Sequence, residues 1–398
     1  MSSGVFDTMP GMVQPVLLLI LVGFAISLPL TLWLVRLGHR VSLLDTPGAK
    51  GHIKQVRPVP NIGGIAIYTA VALPMTLGLA AVWMLDDQFF SRWMPAVTPH
   101  LPRIRESTPT AVAMLACMTM LHVTGLFDDR RSLGPWSKFA AQFAVAAIMV
   151  IPARFDVRLL TFIDNHLPLG HAPSIVLTIL WIVAVTNAIN FMDNMDGLAG
   201  GVSAIAASMF MIATILNAQW FIGGTLALLI GGLAGFLVFN FPPAKIFMGD
   251  GGSMVIGFLL AVLTARTTYY DPLQPDFALG GGWYGVFMPL IVLAIPLYDF
   301  IAVSIIRMRQ GKSPFVGDQQ HFSHRLVQRG LTKPAAVIVI WGATAVTGIG
   351  GISLGSLHAW QAILVGVQTV LVLVIIAVLE HVSRPKPRVG PAGETERT

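Results

Sequence analysis

Eleven mostly apolar stretches, several of them about 20 residues long without interruption, dictate the solvent in which this chain folds. Only 11% of its 398 residues are charged and 55% are hydrophobic, whereas a soluble domain carries roughly 25% charge. These numbers define an all-α integral membrane protein with no separate soluble domain. Read with a window of about 19 residues, the helices fall at 14–35, 62–84, 108–125, 138–152, 174–192, 197–216, 219–239, 252–266, 283–306, 334–354 and 359–381. The fourth and eighth are the shortest. The first run, starting near Val13, is too long for the apolar region of a signal peptide and is expected to stay in the chain. Cys117 is the only cysteine, which excludes a disulfide framework, and it lies inside an apolar run, which suits a packing role.

Basic residues set the orientation. With the segment after the first helix on the cytoplasmic side, 19 of the 25 lysines and arginines fall on that side and 6 on the other. The positive-inside rule then places the N-terminus outside and the C-terminus in the cytoplasm. Asp45, Asp128, Asp129, Asp193, Asp196, Asp250, Asp299 and Asp318 sort to the same cytoplasmic ends and loops. The membrane domain spans residues 1–383. Residues 384–398 have almost nothing apolar to bury and read as a disordered cytoplasmic tail whose basic start suits an anionic leaflet.

Polar groups at the ends of such helices are costly, so their positions point to function. The densest cluster is N-A-I-N-F-M-D-N-M-D-G-L-A-G-G, residues 187–201, in which Asn187, Asn190, Asp193, Asn194 and Asp196 stand between two apolar runs. A spacing of three puts Asp193 and Asp196 on one face if the helix continues through them. In G-L-F-D-D-R-R, Asp128 and Asp129 are adjacent carboxylates that repel unless a cation neutralises them, and Arg130 and Arg131 follow at once. That pattern suits metal- or phosphate-linked chemistry, or simply a charged helix end. In K-I-F-M-G-D-G-G-S, Gly249, Gly251, Gly252 and Ser253 make a helix N-terminus fit for an anion. Asp250 in that turn would oppose an anion unless it holds Mg²⁺ that bridges to phosphate oxygens. His321, His324 and Arg325 in D-Q-Q-H-F-S-H-R-L can bind a transition metal or donate to phosphate, and the second reading fits better without further ligands. The loop from Asp45 to Gly64 is basic and rich in turn formers, and Asp299 is placed to pair with Arg307 or Arg309 in a helix that Pro296 can kink.

Taken in order, D-T-P-G…H…P-V-P-N-I-G-G, G-L-F-D-D, the 187–201 stretch, N-F-P-P-A-K-I-F-M-G-D-G-G-S, P-L-Y-D and the histidine motif resemble the polyprenyl-phosphate N-acetylhexosamine-1-phosphate transferases. The likeness is greater to the branch that uses UDP-N-acetylglucosamine, which initiates enterobacterial common antigen, O-antigen and teichoic acid, than to the branch that starts peptidoglycan. The resemblance implies a multi-pass protein of the inner (plasma) membrane that joins a UDP-sugar to undecaprenyl phosphate, with Mg²⁺ or Mn²⁺ as cofactor. It implies Asp250 as metal ligand and Asp128, beside Asp129, as proton acceptor for the lipid phosphate. Asn187, Asn190, Asp193, Asp196 and Asn240 would form the nucleotide pocket with Phe247 on the uracil, and His321, His324 and Arg325 would lie over the diphosphate. Two departures stand out: Ser323 replaces a usual histidine and Asn194 replaces a usual glycine; the first loop is also longer than usual, so the basic role falls to one of His52, Lys54 or Arg57.

Two anions must meet for such a transfer, and a divalent cation with basic groups offsets their charge. A lipid phosphate with a second pKa of about 6 is already mostly dianionic at pH 7, so direct in-line attack is as economical as an aspartyl-phosphate intermediate. A cation-coupled transporter is the competing reading from another class, but it would place acids near the midplane between inverted repeats, and the sequence has neither. Transfer of phospho-MurNAc-pentapeptide is the competing chemistry. Partners are thus the UDP-sugar, undecaprenyl phosphate and membrane lipid, with no nucleic acid; a homodimer is compatible with the sequence.

Overall fold

The computed structural model describes residues 4–40, 44–45, 59–152, 155, 157–161, 164, 169–268, 283–313, 320–352, 354 and 357–382. Each of the eleven apolar stretches is helical. They form α1 (Gly4–Arg40), α2 (Gly64–Met84), α5 (Thr108–Arg130), α6 (Pro135–Val150), α7 (Ala172–Met192), α8 (Leu198–Leu216), α9 (Trp220–Asn240), α10 (Asp250–Thr267), the pair α11 (Met288–Val292) and α12 (Ala294–Arg309), α14 (Lys333–Ile352) and α15 (Ala359–Val382). Among the described residues, eight helices are long and apolar enough to cross a membrane, or nine if the bent pair is one span. The two that fall short are α6, with 16 residues, and α10, whose 18 residues start at Asp250 and include Arg266. Three short helices are too brief for a hydropathy window: α3 (Asp87–Trp93), α4 (Leu101–Glu106) and α13 (Phe322–Gln328).

The ninth stretch departs most from its expected form. A 3₁₀ turn at Trp283–Phe287 leads into α11, and α12 leaves at 62° to the preceding segment. Pro296, in the first turn of α12, has no N–H to give to the carbonyl four residues back, which removes one ladder bond where α11 ends.

α10 stands at the centre, packed against α7, α5 and α2, and its residues from Gly251 to Ala265 are buried. α9 packs along α1 and α8. Gly231 of α9 lies against the backbone of α1, where a Cβ would strike the Ile20 carbonyl oxygen. Small residues at such contacts let helices approach where lipid offers no hydrophobic drive for association. Leu44–Asp45 and Val59–Pro60 pair as two short antiparallel strands, β1 and β2. The segment they bracket, 46–58, lies outside the described residues, as does the tail from 384 onward.

Candidate active site

The C-terminal ends of α5, α7, α9 and α12 and the N-terminal ends of α6 and α10 meet at one end of the bundle. Backbone bonds join the first and fourth motifs there. Gly63 N donates to Phe247 O at 2.9 Å, Gly64 N to Met248 O at 2.9 Å, and Phe247 N to Pro60 O at 2.8 Å. Gly125 makes room for the turn that follows, since a Cβ at that position would strike the backbone of Asp250 and Gly251. Gly249 opens α10 at φ 71°, a conformation that suits glycine. His122 of α5 is buried, stacks on Tyr68 and hydrogen-bonds the Gly251 carbonyl oxygen through Nδ1 at 2.8 Å, so Nδ1 carries the proton.

The two adjacent carboxylates of α5 do different work. Asp129 Oδ1 accepts from Asp250 N at 3.0 Å and from Asn61 Nδ2 at 3.1 Å, and its Oδ2 accepts from Gly251 N at 3.2 Å. It therefore caps α10, satisfying N–H groups that a helix start leaves open and opposing the positive end of its dipole. Asp128 points the other way. Its Oδ2 lies 2.8 Å from Lys138 Nζ, and its Oδ1 accepts from Leu133 N at 2.8 Å. Lys138 Nζ also lies 2.6 Å from Asp250 Oδ2, while Asp250 Oδ1 accepts from Asn190 Nδ2 at 2.9 Å. Asn190 Nδ2 further reaches Ser253 Oγ at 2.8 Å. The cation beside Asp128 is thus Lys138, and Arg130 and Arg131 are exposed.

A second group surrounds a cleft of about 30 Å³ lined by Asp193, Asp196, Asn240, Phe247, His324 and Lys333 among others. Asp196 Oδ2 accepts from Ala244 N at 3.0 Å; Asn240 takes Gly197 N at 2.9 Å and gives to Ile246 O at 2.8 Å. The turn between α7 and α8 and the segment before α10 are thereby fixed to each other. Burial, and then the neighbouring His321, hold the His324 imidazole below the ordinary histidine range, so it is neutral at pH 7. Asn194 and Ser323, the two positions that depart from the resemblance, hydrogen-bond each other.

Several residues expected together are apart. Asn187 is buried one turn deeper than Asn190 and gives its amide to Gln142 Oε1 at 2.6 Å and Val183 O at 2.7 Å. His321 does not line the cleft with His324. Its Nδ1 lies 2.8 Å from Asp299 Oδ2, and its Nε2 faces Arg307 at 3.4 Å. Asp299, expected to pair with Arg307 or Arg309, meets His321 and also accepts from Phe322 N at 2.7 Å. Arg325 reaches Gln320 O at 2.6 Å and Glu380 Oε1 at 2.9 Å. His52, Lys54 and Arg57 lie outside the described residues. Lys138 is not singled out by sequence, where it counts as one more cytoplasmic cation. Its signal is position: a lysine in the first turn of an otherwise apolar helix, close after two aspartates.

Fold and site together define a polytopic helical membrane protein with paired carboxylates, a shared lysine and a separate amide-rich cleft at one end of the bundle. Residues 111–268 match the profile described as Glycosyl transferase family 4. The chain is 31% identical over 318 residues to the decaprenyl-phosphate N-acetylglucosaminephosphotransferase of Mycobacterium leprae, covering 75% of this chain and 74% of that one. It is 29% identical over 366 residues to a probable undecaprenyl-phosphate N-acetylglucosaminyl 1-phosphate transferase of Bacillus subtilis, covering 90% and 91%. The undecaprenyl-phosphate alpha-N-acetylglucosaminyl 1-phosphate transferase of Escherichia coli K12 is 29% identical over 78% of this chain and 76% of its own. The chain belongs to glycosyl transferase family 4.

Proposed function

We propose that this protein transfers N-acetylglucosamine 1-phosphate from UDP-N-acetylglucosamine to undecaprenyl phosphate in the inner membrane, initiating a lipid-linked envelope glycan. An oxygen of the lipid phosphate bonds to the sugar-bearing phosphorus as that phosphorus loses its bond to the bridging oxygen of UMP. The observation that carries this reading is the meeting of Asp128, Lys138 and Asp250 at one end of the bundle, beside the cleft of Asp193, Asp196, Asn240 and Phe247. The names of the relatives support the sugar and the lipid class. A transporter reading loses ground because these acids gather at one end rather than along a path through the bundle.

The donor set suits Mg²⁺, with Mn²⁺ as a substitute. Asp128 Oδ2 and Asp250 Oδ2 already converge on one cationic centre, Lys138 Nζ, and no group of three or more histidine, cysteine or acidic side chains forms a cage among the described residues. Mg²⁺ typically takes one or two carboxylates and completes its shell from substrate phosphate and water. Asp250, with Asp128 opposite, would hold it, and the bound ion would offset charge on the transferring phosphoryl group. Lys138 supplies a second positive charge to the diphosphate. Asn190 holds Asp250 in place, and Asp129 holds the turn that carries it. Asp128 orients the lipid phosphate and accepts its proton where one remains. At about 30 Å³ the cleft is too small for a uracil, so stacking on Phe247 requires its walls to open.

Purified protein given undecaprenyl phosphate and a panel of UDP-sugars is expected to release UMP with UDP-N-acetylglucosamine and to lose that activity in EDTA. Release only with UDP-MurNAc-pentapeptide would move the protein to the other branch; no release with any donor would end the transferase reading. The same proposal includes eleven spans with the active site facing the cytoplasm. Gly390→Cys should then label from the cytoplasm alone and His100→Cys from outside alone. Labelling of both from one side would mean that the span count is wrong by an odd number.

A further inference from the structure

Glu380 is the only carboxylate between Asp318 and Glu394, and it sits near the end of an apolar helix that otherwise faces lipid. Only 11% of the apolar window of α15 is buried, and along much of its length α15 stands off from α12 around an apolar groove of about 820 Å³. Yet Glu380 itself is 5% exposed. A carboxylate is costly in such a place unless it is paired. Its Oε1 lies 2.9 Å from Arg325 Nη2, and its Oε2 accepts from Tyr298 OH at 3.2 Å. Arg325 spends its other terminal nitrogen on Gln320 O, the carbonyl just before His321, at 2.6 Å. One guanidinium therefore ties the start of the histidine segment to the last helix. The opposite side of that segment is held by Asp299 through Phe322 N and His321.

We infer that Glu380 is a positioning residue for α13: through Arg325 it sets the depth and angle at which α13 presents His324 to the cleft. The Glu380–Arg325 bond is single and charge-assisted, and orientation comes from its two ends, since Tyr298 holds the second carboxylate oxygen and Gln320 O takes the second guanidinium nitrogen. Arg325 then acts on the sugar nucleotide through α13 rather than by touching it. The kinetic part of this inference rests on the transferase reading; the structural part does not.

The test combines distances with rates. Spin labels at Gln328→Cys and Lys245→Cys, in a Cys117→Ala background, report the position of α13 relative to the segment before α10 without any substrate. Glu380→Leu should broaden that distance distribution. It should also lower kcat/KM by about 10- to 100-fold, mainly through KM for the UDP-sugar, which is the scale of an ångström-sized misplacement. Arg325→Leu should match it, and the double variant should be no worse than either, because the two residues act as a unit. Glu380→Gln keeps the shape and an acceptor for Arg325, and serves if the leucine variant does not fold. It should show the same shift in smaller measure. An unchanged distance distribution overturns the inference whatever the rates do. Arg325→Leu far more damaging than Glu380→Leu would also overturn it, by placing Arg325 on the substrate. Failure of the unaltered protein to turn over would count against the transferase reading alone, since the distances still judge the clamp.

Discussion

Asp250→Asn is expected to reduce transfer by about 10²- to 10³-fold or more, the usual worth of a group that stabilises charge at the reacting centre. The amide would still accept a hydrogen bond from Asn190, and Lys138 would keep its ion pair with Asp128 at 2.8 Å, so the site should stay assembled. What disappears is one of two charges that converge on a single cationic point. The Mg²⁺ concentration needed for half-maximal rate should therefore rise, and Mn²⁺ should recover part of the activity before Mg²⁺ does. Normal turnover by the variant at ordinary Mg²⁺ would remove Asp250 from the role of metal ligand. Collapse of the folded protein would show instead that its bond to Lys138 holds the bundle together.

Asp128→Asn is expected to lose about 10²- to 10⁴-fold in rate, the range for a positioned general base. The loss should shrink as pH rises past about 6, where the lipid phosphate no longer carries the proton that a base would remove. Two mechanisms part here. If Asp128 were a nucleophile, purified protein would exchange labelled UMP into the UDP-sugar without lipid, because a covalent half-reaction is complete by itself. The structure gives Asp128 little freedom for that: Oδ1 is bonded to Leu133 N and Oδ2 faces Lys138. The ammonium lowers both the nucleophilicity and the basicity of the carboxylate, but attack on phosphorus would also require it to leave these bonds, whereas orienting the phosphate would not. Exchange should therefore require lipid. Robust lipid-free exchange that vanishes in Asp128→Asn would reverse the choice.

The ends of the helices were readable from sequence because an ionisable residue in an apolar run has so few places to go. Asp128, Asn190, Asp250 and the 193–196 turn all reach one end of the bundle for that reason. What sequence could not supply was which neighbour each carboxylate would choose. Asp128 and Asp129 are adjacent, so their side chains leave α5 about 100° apart, and one meets Lys138 while the other meets the start of α10. Asn187 and Asn190 share a helix face, but one turn of depth hands the first to Gln142. The break at Leu293 lies where Pro296 removes a ladder bond, a local signal, whereas α13, with seven residues, is set by tertiary bonds to Asp299 and Glu380 that no local pattern encodes.

The two apolar stretches that fall short of a full span, α6 and α10, are also the ones that bring Lys138 and Asp250 to the site. α6 is about 24 Å long, against a hydrocarbon layer of about 30 Å. If α6 is one of the eleven proposed spans, the bilayer beside it thins or its headgroups sit beyond the helix end. In either case a phosphate on a long isoprenoid tail meets Lys138 at the oily margin instead of in open water. Attraction between unit charges strengthens several-fold as the surrounding dielectric falls. On that reading the thinness of this part of the fold lets a single lysine and a pair of aspartates govern an anion that bulk solvent would otherwise screen from them.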